Sequence, residues 1–217
     1  MDLILYFFDI LINLDKHLDI IIRTYGVWSY AILIVIIFCE TGLVVTPFLP
    51  GDSLLFAVGT FAALGSFQVE WIALALGGAA VAGDTTNYWI GRFTGPKVFH
   101  KERSRFFNRQ YLDRTHSFYE RHGAKTVSIA RFVPIVRTFA PFVAGIGHMP
   151  YRRFIVYSLA GTAAWISTFV FGGYFFGNIP VVRANFTLVV MGIILVSVMP
   201  GIVEYIRHNI ERKGRPG

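Results

Sequence analysis

The chain has 217 residues, of which 54% are hydrophobic and 15% are charged, and its mean hydropathy is positive. This composition lies outside the range of ordinary soluble domains and is typical of a membrane protein with several spans. A net charge of +7 would suggest a nucleic-acid partner in a soluble chain. Here the cations cluster between and after apolar runs, as the positive-inside rule expects, so no nucleic-acid partner is predicted.

The first 24 residues predict an amphipathic helix that lies on the membrane surface. The opening has no basic region and no small-x-small cleavage site, so a cleaved signal peptide is not predicted. Apolar residues recur there at helical spacing, with polar residues on the other faces. The apolar series is Leu3, Phe7, Ile10, Leu11, Leu14 and Leu18.

Three apolar segments follow within the membrane domain, which we place at residues 25–207. Residues 27–46 predict a first span, and residues 70–92 predict a glycine-rich second span. The segment between them, 47–66, is apolar but broken early, which favours a re-entrant hairpin over a straight crossing. Its breakers are Pro47, Pro50 and Gly51.

A basic segment at 92–125 is expected on the cytoplasmic side, where aromatic residues between the charges favour interfacial helices. Residues 126–148 then predict a second re-entrant hairpin, broken by Pro134, Pro141 and Gly145. Residues 154–177 and 184–206 predict two further spans, and a basic cytoplasmic tail occupies 208–217.

The predicted architecture is an all-α polytopic membrane protein with four transmembrane helices and two opposed re-entrant hairpins. The distribution of cations places both termini and the basic segment in the cytoplasm. The two hairpins then enter from opposite sides, so the halves are related by inversion. Inverted repeats with broken helices are the architecture of many secondary transporters.

Four charged residues stand out because they lie in these apolar, Gly/Pro-containing stretches: Glu40, Asp52, Arg131 and Arg137. Each ionisable side chain at membrane depth costs roughly 3 kcal/mol on insertion scales, and such residues usually face a protein interior or a water-filled cavity. The sequence therefore predicts a buried polar site between the two hairpins.

Two interpretations of each acid are open. Asp52 follows Pro50-Gly51 and is either a helix N-cap or a proton-coupling group. Glu40 is either a protonatable switch or the partner of a structural ion pair with Arg131 or Arg137.

The arginines have two interpretations as well. Guanidinium groups bind phosphate and stay charged when buried, which suits a lipid headgroup. Alternatively, Arg131 and Arg137 only neutralise the two acids. Asp84, with Asn87 and Tyr88 on the next turn, is expected either to line the same polar site or to take part in helix packing.

Metal and cofactor sites are not predicted. Cys39 is the only cysteine, so neither an internal disulfide nor a zinc or iron–sulfur ligand set is available from cysteines. The six histidines are scattered, with no His-x-x-x-His pair.

At these residues the chain resembles the DedA family of bacterial inner-membrane proteins, whose superfamily carries the VTT, or SNARE-associated, domain. The matching elements cover most of residues 25–177. They are Glu40-Thr-Gly, Pro47-x-x-Pro-Gly-Asp52, Gly59, Gly83-Asp84 through Tyr88-x-x-Gly91, Arg131-x-x-Pro-x-x-Arg137-x-x-x-Pro141-x-x-Ala-Gly145, Phe154 and Gly161-x-x-x-Trp165.

The resemblance implies a transporter-like fold in the bacterial inner membrane, dependence on proton motive force and a role in envelope homeostasis. It also implies translocation of undecaprenyl phosphate or phospholipid in some members. The residues needed for function in relatives correspond to Glu40, Asp52, Arg131 and Arg137.

The leading hypothesis is a proton-linked lipid transporter in which the arginines hold phosphate and the acids exchange protons. A cation/proton antiporter and a non-transporting membrane organiser are the alternatives, and an enzyme is the weakest choice. The partners expected are membrane lipid and protons, with homo-oligomerisation left open.

Overall fold

The structure is a computed structural model that describes residues 14–43, 51–98, 123–186, 188–193 and 195–196. Several predicted features lie outside these ranges: residues 1–13 of the N-terminal helix, the breakers Pro47 and Pro50, most of the basic segment and the tail. Every regular element among the described residues is helical. The described part of the chain is therefore all-α, as the sequence predicts.

Nine α-helices are described, with short 3₁₀ and π turns between some of them. They are α1 Leu14–Tyr25, α2 Trp28–Gly42, α3 Gly51–Ala63, α4 Val69–Val98, α5 Thr126–Ile129, α6 Pro134–Ile146, α7 Tyr151–Ile166, α8 Gly172–Phe176 and α9 Pro180–Ala184. Residues 186, 188–193 and 195–196 are also helical.

One continuous helical run among the described residues, Tyr151–Phe176, is both long and apolar enough to cross a membrane. Its 26 residues correspond to about 39 Å of helix, against about 30 Å of hydrocarbon core. Three shorter apolar helices accompany it: Trp28–Gly42, Gly51–Ala63 and Val136–Ile146. The predicted number of crossings stays a prediction.

The chain is broken before α6, within the second predicted hairpin. A 3₁₀ turn, Ala130–Phe132, ends at Val133, which is extended with φ −121° and ψ 103°. Pro134 follows as the first residue of α6. A proline disfavours helical backbone at the residue before it and fits the first turn of a helix, so this one residue both ends and begins a segment.

Two other predicted breakers do not interrupt the helix. Pro141 and Gly145 both lie inside α6, which runs to Ile146. Pro141 cannot donate the hydrogen bond that would reach Arg137, and an interior proline costs about 3 kcal/mol or more. The close packing of α6 against α4 compensates for this cost, so the prediction of breaks at these two positions was wrong.

Gly145 allows that close packing. A Cβ at this position would overlap the Tyr88 carbonyl oxygen of α4, and a Cβ on Gly91 would overlap the Phe142 carbonyl oxygen of α6. The two glycines thus face each other's helix across an antiparallel contact. Small residues let helix backbones approach in this way within membranes.

The same arrangement occurs between α3 and the end of the long apolar run. A Cβ on Gly59 of α3 would overlap the Val170 carbonyl oxygen, and a Cβ on Gly173 of α8 would overlap that of Phe56. On each of the helices, the glycine lies three positions from the residue whose carbonyl oxygen faces the partner helix's glycine. The two helices are again antiparallel. The α3–α8 and α4–α6 pairs therefore share one packing pattern.

Two apolar clusters hold the helices together. The larger includes Leu55, Ile72 and Trp165, and the smaller is centred on Tyr88 and Phe154.

The helix α2 crosses α4 at Gly42 and Gly83. The backbones are so close there that a Cβ added at Gly42 would lie 3.2 Å from the Cα of Gly83. This crossing brings the end of α2, with its acidic residue, against the middle of α4.

A candidate buried charge cluster

Arg137 joins the two acids that the sequence singled out. Its Nη2 donates to Oε1 of Glu40 at 2.5 Å, and its Nη1 donates to Oδ1 of Asp52 at 2.7 Å. All three residues are buried. The cluster therefore links α2, α3 and α6 through charge-assisted hydrogen bonds, which are roughly twice as strong as neutral ones.

Asp52 lies in the first turn of α3, which begins one residue earlier at Gly51. Asp52 is therefore inside the helix and is not its N-cap residue, which was one of the two roles predicted for it. The helix N-terminus still favours a negative charge there. Besides Arg137, Oδ1 of Asp52 accepts a hydrogen bond from the indole Nε1 of Trp165 at 2.8 Å.

Trp165 lies under both arginines. Its ring centroid is 5.1 Å from Cζ of Arg137 and 5.5 Å from Cζ of Arg131. A cation over an indole face is attracted by about 2 kcal/mol or more when it is desolvated. One fully buried side chain thus holds both guanidinium groups and one carboxylate.

Arg131 pairs with a third acid, Asp84. The Nη2 atom of Arg131 donates to Oδ2 of the Asp84 carboxylate. Oδ2 also accepts a hydrogen bond from the Ser158 hydroxyl at 2.6 Å. The three residues come from the 3₁₀ turn before α6, from α4 and from α7. Of the two interpretations of Asp84, the structure supports membership of the polar site.

Asn87 connects the backbone next to Glu40 with the backbone next to Arg137. Its Nδ2 donates to the Thr41 carbonyl at 3.2 Å and to the Thr138 carbonyl at 2.8 Å. Thr41 follows Glu40 and Thr138 follows Arg137 in the chain. The amide therefore ties together the two backbone segments that present this ion pair.

The described cluster contains three acids and two arginines, so its formal charge is −1 when all are ionised. Burying an ion costs several kcal/mol even after relaxation. Some polar atoms in it are buried without a partner among the described residues: Glu40 Oε2, Asn87 Oδ1, Arg131 Nε, Arg131 Nη1 and Arg137 Nε. The excess negative charge favours uptake of a proton or another cation.

The described residues contain no group of three or more His, Cys, Asp or Glu side chains that could hold a metal ion. Arginine side chains lie beside the acids of the cluster.

The structure brings all four predicted charged residues and Asp84 into one cluster. Sequence reasoning missed Trp165 and Ser158 as members. Trp165 carried a signal, because tryptophan in spans is enriched at the interface and a buried indole N–H usually needs a partner. Ser158 carried no signal that separates it from the other serines in the predicted spans.

The described residues form a hydrophobic, all-helical structure with a buried arginine–carboxylate cluster, as expected for a membrane protein. Its family is shown by comparison with known proteins: residues 49–175 match the model of the VTT domain. The chain belongs to the VTT-domain family, that of the DedA proteins, as the sequence motifs indicated.

Three relatives show how far the similarity extends. Protein DedA of Escherichia coli K12 is 54% identical over 96% of both chains. An uncharacterized membrane protein of Mycobacterium tuberculosis H37Rv is 42% identical over 88% of this chain and 86% of its own. Inner membrane protein YqjA of E. coli K12 is 34% identical over 70% of this chain and 69% of its own. No solved structure matches the chain significantly.

Proposed function

We propose that the protein is a proton-linked transporter that moves an anionic lipid, undecaprenyl phosphate or a phospholipid, across the bacterial inner membrane. The observation that carries this proposal is the placement of Arg137 between Glu40 and Asp52, both buried. Intramembrane ion pairs of this kind mark substrate and proton pathways in membrane proteins.

The mechanism of lipid binding and release follows from the formal charge of the buried cluster. With all groups ionised, the described cluster has an excess negative charge that opposes the entry of an anionic lipid. A proton on Glu40 or Asp52 removes one carboxylate from Arg137, and the cluster becomes neutral. Protonation therefore makes the arginines available to a phosphate group, and loss of the proton restores the ion pair and expels the lipid.

The architecture that goes with this function is four crossings, two opposed re-entrant hairpins and both termini in the cytoplasm. The shared glycine packing of the α3–α8 and α4–α6 pairs supports an internal inverted repeat. In transporters with such repeats, substrate and coupling ions bind near the midplane, between the broken segments.

The test is translocation of labelled undecaprenyl phosphate and labelled phospholipid in proteoliposomes, with and without an imposed pH gradient. We expect movement of one of the two in the wild type and its loss in Arg137→Ala. Correctly folded wild-type protein that moves neither lipid would contradict the proposal. Release of phosphate from the labelled lipid would instead point to a lipid phosphatase, and proton-coupled cation flux without lipid movement to an antiporter.

A non-transporting membrane organiser is the second candidate. It is favoured by the number of helices that the ion pairs cross-link, because Arg137 alone connects three of them. In that case the charges only fix the fold, and exchanging an acid with its arginine preserves function.

A further inference from the structure

The two buried arginines differ in how fully they are occupied. Both terminal nitrogens of Arg137 donate to carboxylates, whereas Arg131 donates only through Nη2, to Asp84. Nε and Nη1 of Arg131 are buried and have no partner among the described residues. A buried donor without an acceptor destabilises the protein, and more so when it is charged. Arg131 therefore has donors available for an anionic ligand.

A largely apolar groove of about 630 Å³ runs between α4 and α7. Ala73, Gly77 and Val81 line it from α4, and Thr162 and Ile166 line it from α7. Along α4 the groove extends from Glu70 to Val81, a rise of about 16 Å. This is close to half of the roughly 30 Å hydrocarbon core, the depth of one leaflet.

One end of the groove lies one helical turn along α4 from Asp84, the ion-pair partner of Arg131. Val81 lies one helical turn before Asp84, and Thr162 lies one turn after Ser158, the hydroxyl donor to Asp84. Between them, a Cβ at Gly161 would lie 3.3 Å from Cδ of Arg131. The same two helices that form the groove therefore also frame the unsatisfied arginine.

We propose that the α4–α7 groove holds one hydrocarbon chain of a lipid phosphate whose phosphate is bound by Arg131. An apolar groove that ends one helical turn from the Asp84–Arg131 pair complements a lipid with an anionic head and an apolar tail, and not an apolar helix of a second copy. This assignment deepens the proposed function and rests on it for the identity of the substrate class.

Photolabelling tests the site without any transport step. The full-length protein is placed in phosphatidylcholine vesicles that contain a trace of phosphatidic acid with a diazirine at the end of one acyl chain. Diacylglycerol with the same diazirine chain, which lacks the phosphate, is the comparison probe. After irradiation, the labelled residues are found by peptide mass spectrometry, with the exposed Val35 on α2 as the reference for non-specific labelling.

We expect phosphatidic acid to label groove residues at least about fivefold more than Val35, which corresponds to roughly 1 kcal/mol of preference. Gly78→Trp should abolish this excess, because Gly78 lines the groove and its Cβ would meet open space. Gly192→Trp is the matched control, since Gly192 is also open but is not part of the groove.

Arg131→Lys tests the phosphate contact. A lysine keeps a positive charge for Asp84 but lacks the additional guanidinium donors. We expect the excess labelling by phosphatidic acid to fall to the diacylglycerol level, with the diacylglycerol labelling unchanged.

Labelling as strong at Val35 as in the groove, or no effect of Gly78→Trp, would overturn the proposal. Rapid disulfide dimerisation of Gly78→Cys in a Cys39→Ser background would do so as well, by making the groove an interface between copies. Arg131-dependent groove labelling without lipid translocation would leave the site standing and remove the transport function.

Discussion

Gly51 faces the carboxylate of Glu40 so closely that a Cβ on Gly51 would overlap both carboxylate oxygens. The first residue of α3 thus leaves the space that Glu40 occupies beside Arg137. The sequence predicts Gly51, together with Pro47 and Pro50, as a breaker in the first hairpin. The structure gives it a second role, which is to admit a buried acid from the neighbouring helix.

The Gly51→Ala variant should therefore lose the Glu40–Arg137 contact. We expect a destabilisation of about 1–3 kcal/mol, typical of overpacking, and a loss of lipid translocation. Thermal unfolding in detergent and translocation in proteoliposomes measure the two effects. Gly192→Ala is the control, because its Cβ would meet open space and Gly192 is not part of the α4–α7 groove, and it should behave like the wild type.

The reciprocal glycine contacts predict opposite effects of alanine at two adjacent positions. Gly173→Ala should destabilise the protein by about 1–3 kcal/mol, since the Cβ would overlap the Phe56 carbonyl. Gly172→Ala should be neutral or stabilising by up to about 1 kcal/mol, because its Cβ meets nothing within 4 Å and alanine favours the helix. Equal stability of the two variants in denaturant unfolding would contradict the packing described for α3 and α8.

Asn87 should be required to align the cluster. Asn87→Leu removes both hydrogen bonds to the Thr41 and Thr138 carbonyls, at a cost of roughly 1–3 kcal/mol for the two. We expect lower thermal stability together with reduced translocation. Thr86→Ala is the neighbouring control, since its hydroxyl donates to Ala82 at an exposed position. A fully active Asn87→Leu protein would show that this link is dispensable.

Exchange of Asp84 and Arg131 separates the transporter from the organiser. Either single substitution, Asp84→Arg or Arg131→Asp, places two like charges together and should destabilise strongly, by about 3–5 kcal/mol or more. The double exchange restores an opposite-charge pair, so part of the stability should return. The transporter account expects translocation to stay absent in the exchanged protein, and recovery of full function would favour the organiser.

The sequence was sufficient to find the charged residues but not their pairing. Glu40, Asp52, Arg131 and Arg137 are conspicuous because each interrupts an apolar stretch, and this feature is visible without a fold. The Arg131–Asp84 pair joins residues 47 positions apart, and helical periodicity alone does not say which faces of two helices meet.

Local chemistry predicted one break in the helical backbone correctly and two others wrongly. Pro134 ends one segment and begins the next because a proline constrains the residue before it. Pro141 has the same chemistry but lies within α6, where packing against α4 outweighs the missing hydrogen bond. Gly145, predicted as a break, serves a contact with Tyr88 that depends on tertiary structure.

The central claim is that protonation of the acids releases the arginines for a lipid phosphate, and Glu40→Gln tests it most directly. Glutamine keeps the shape of a protonated glutamate and reduces the formal charge of the described cluster from −1 to zero. The measurement is translocation of the transported lipid in proteoliposomes with and without a pH gradient. We predict that wild-type translocation responds to the gradient and strengthens as the pH on the lipid-loading side falls, whereas Glu40→Gln moves lipid with little or no response. A folded Glu40→Gln protein whose translocation follows the gradient as in the wild type would contradict the account.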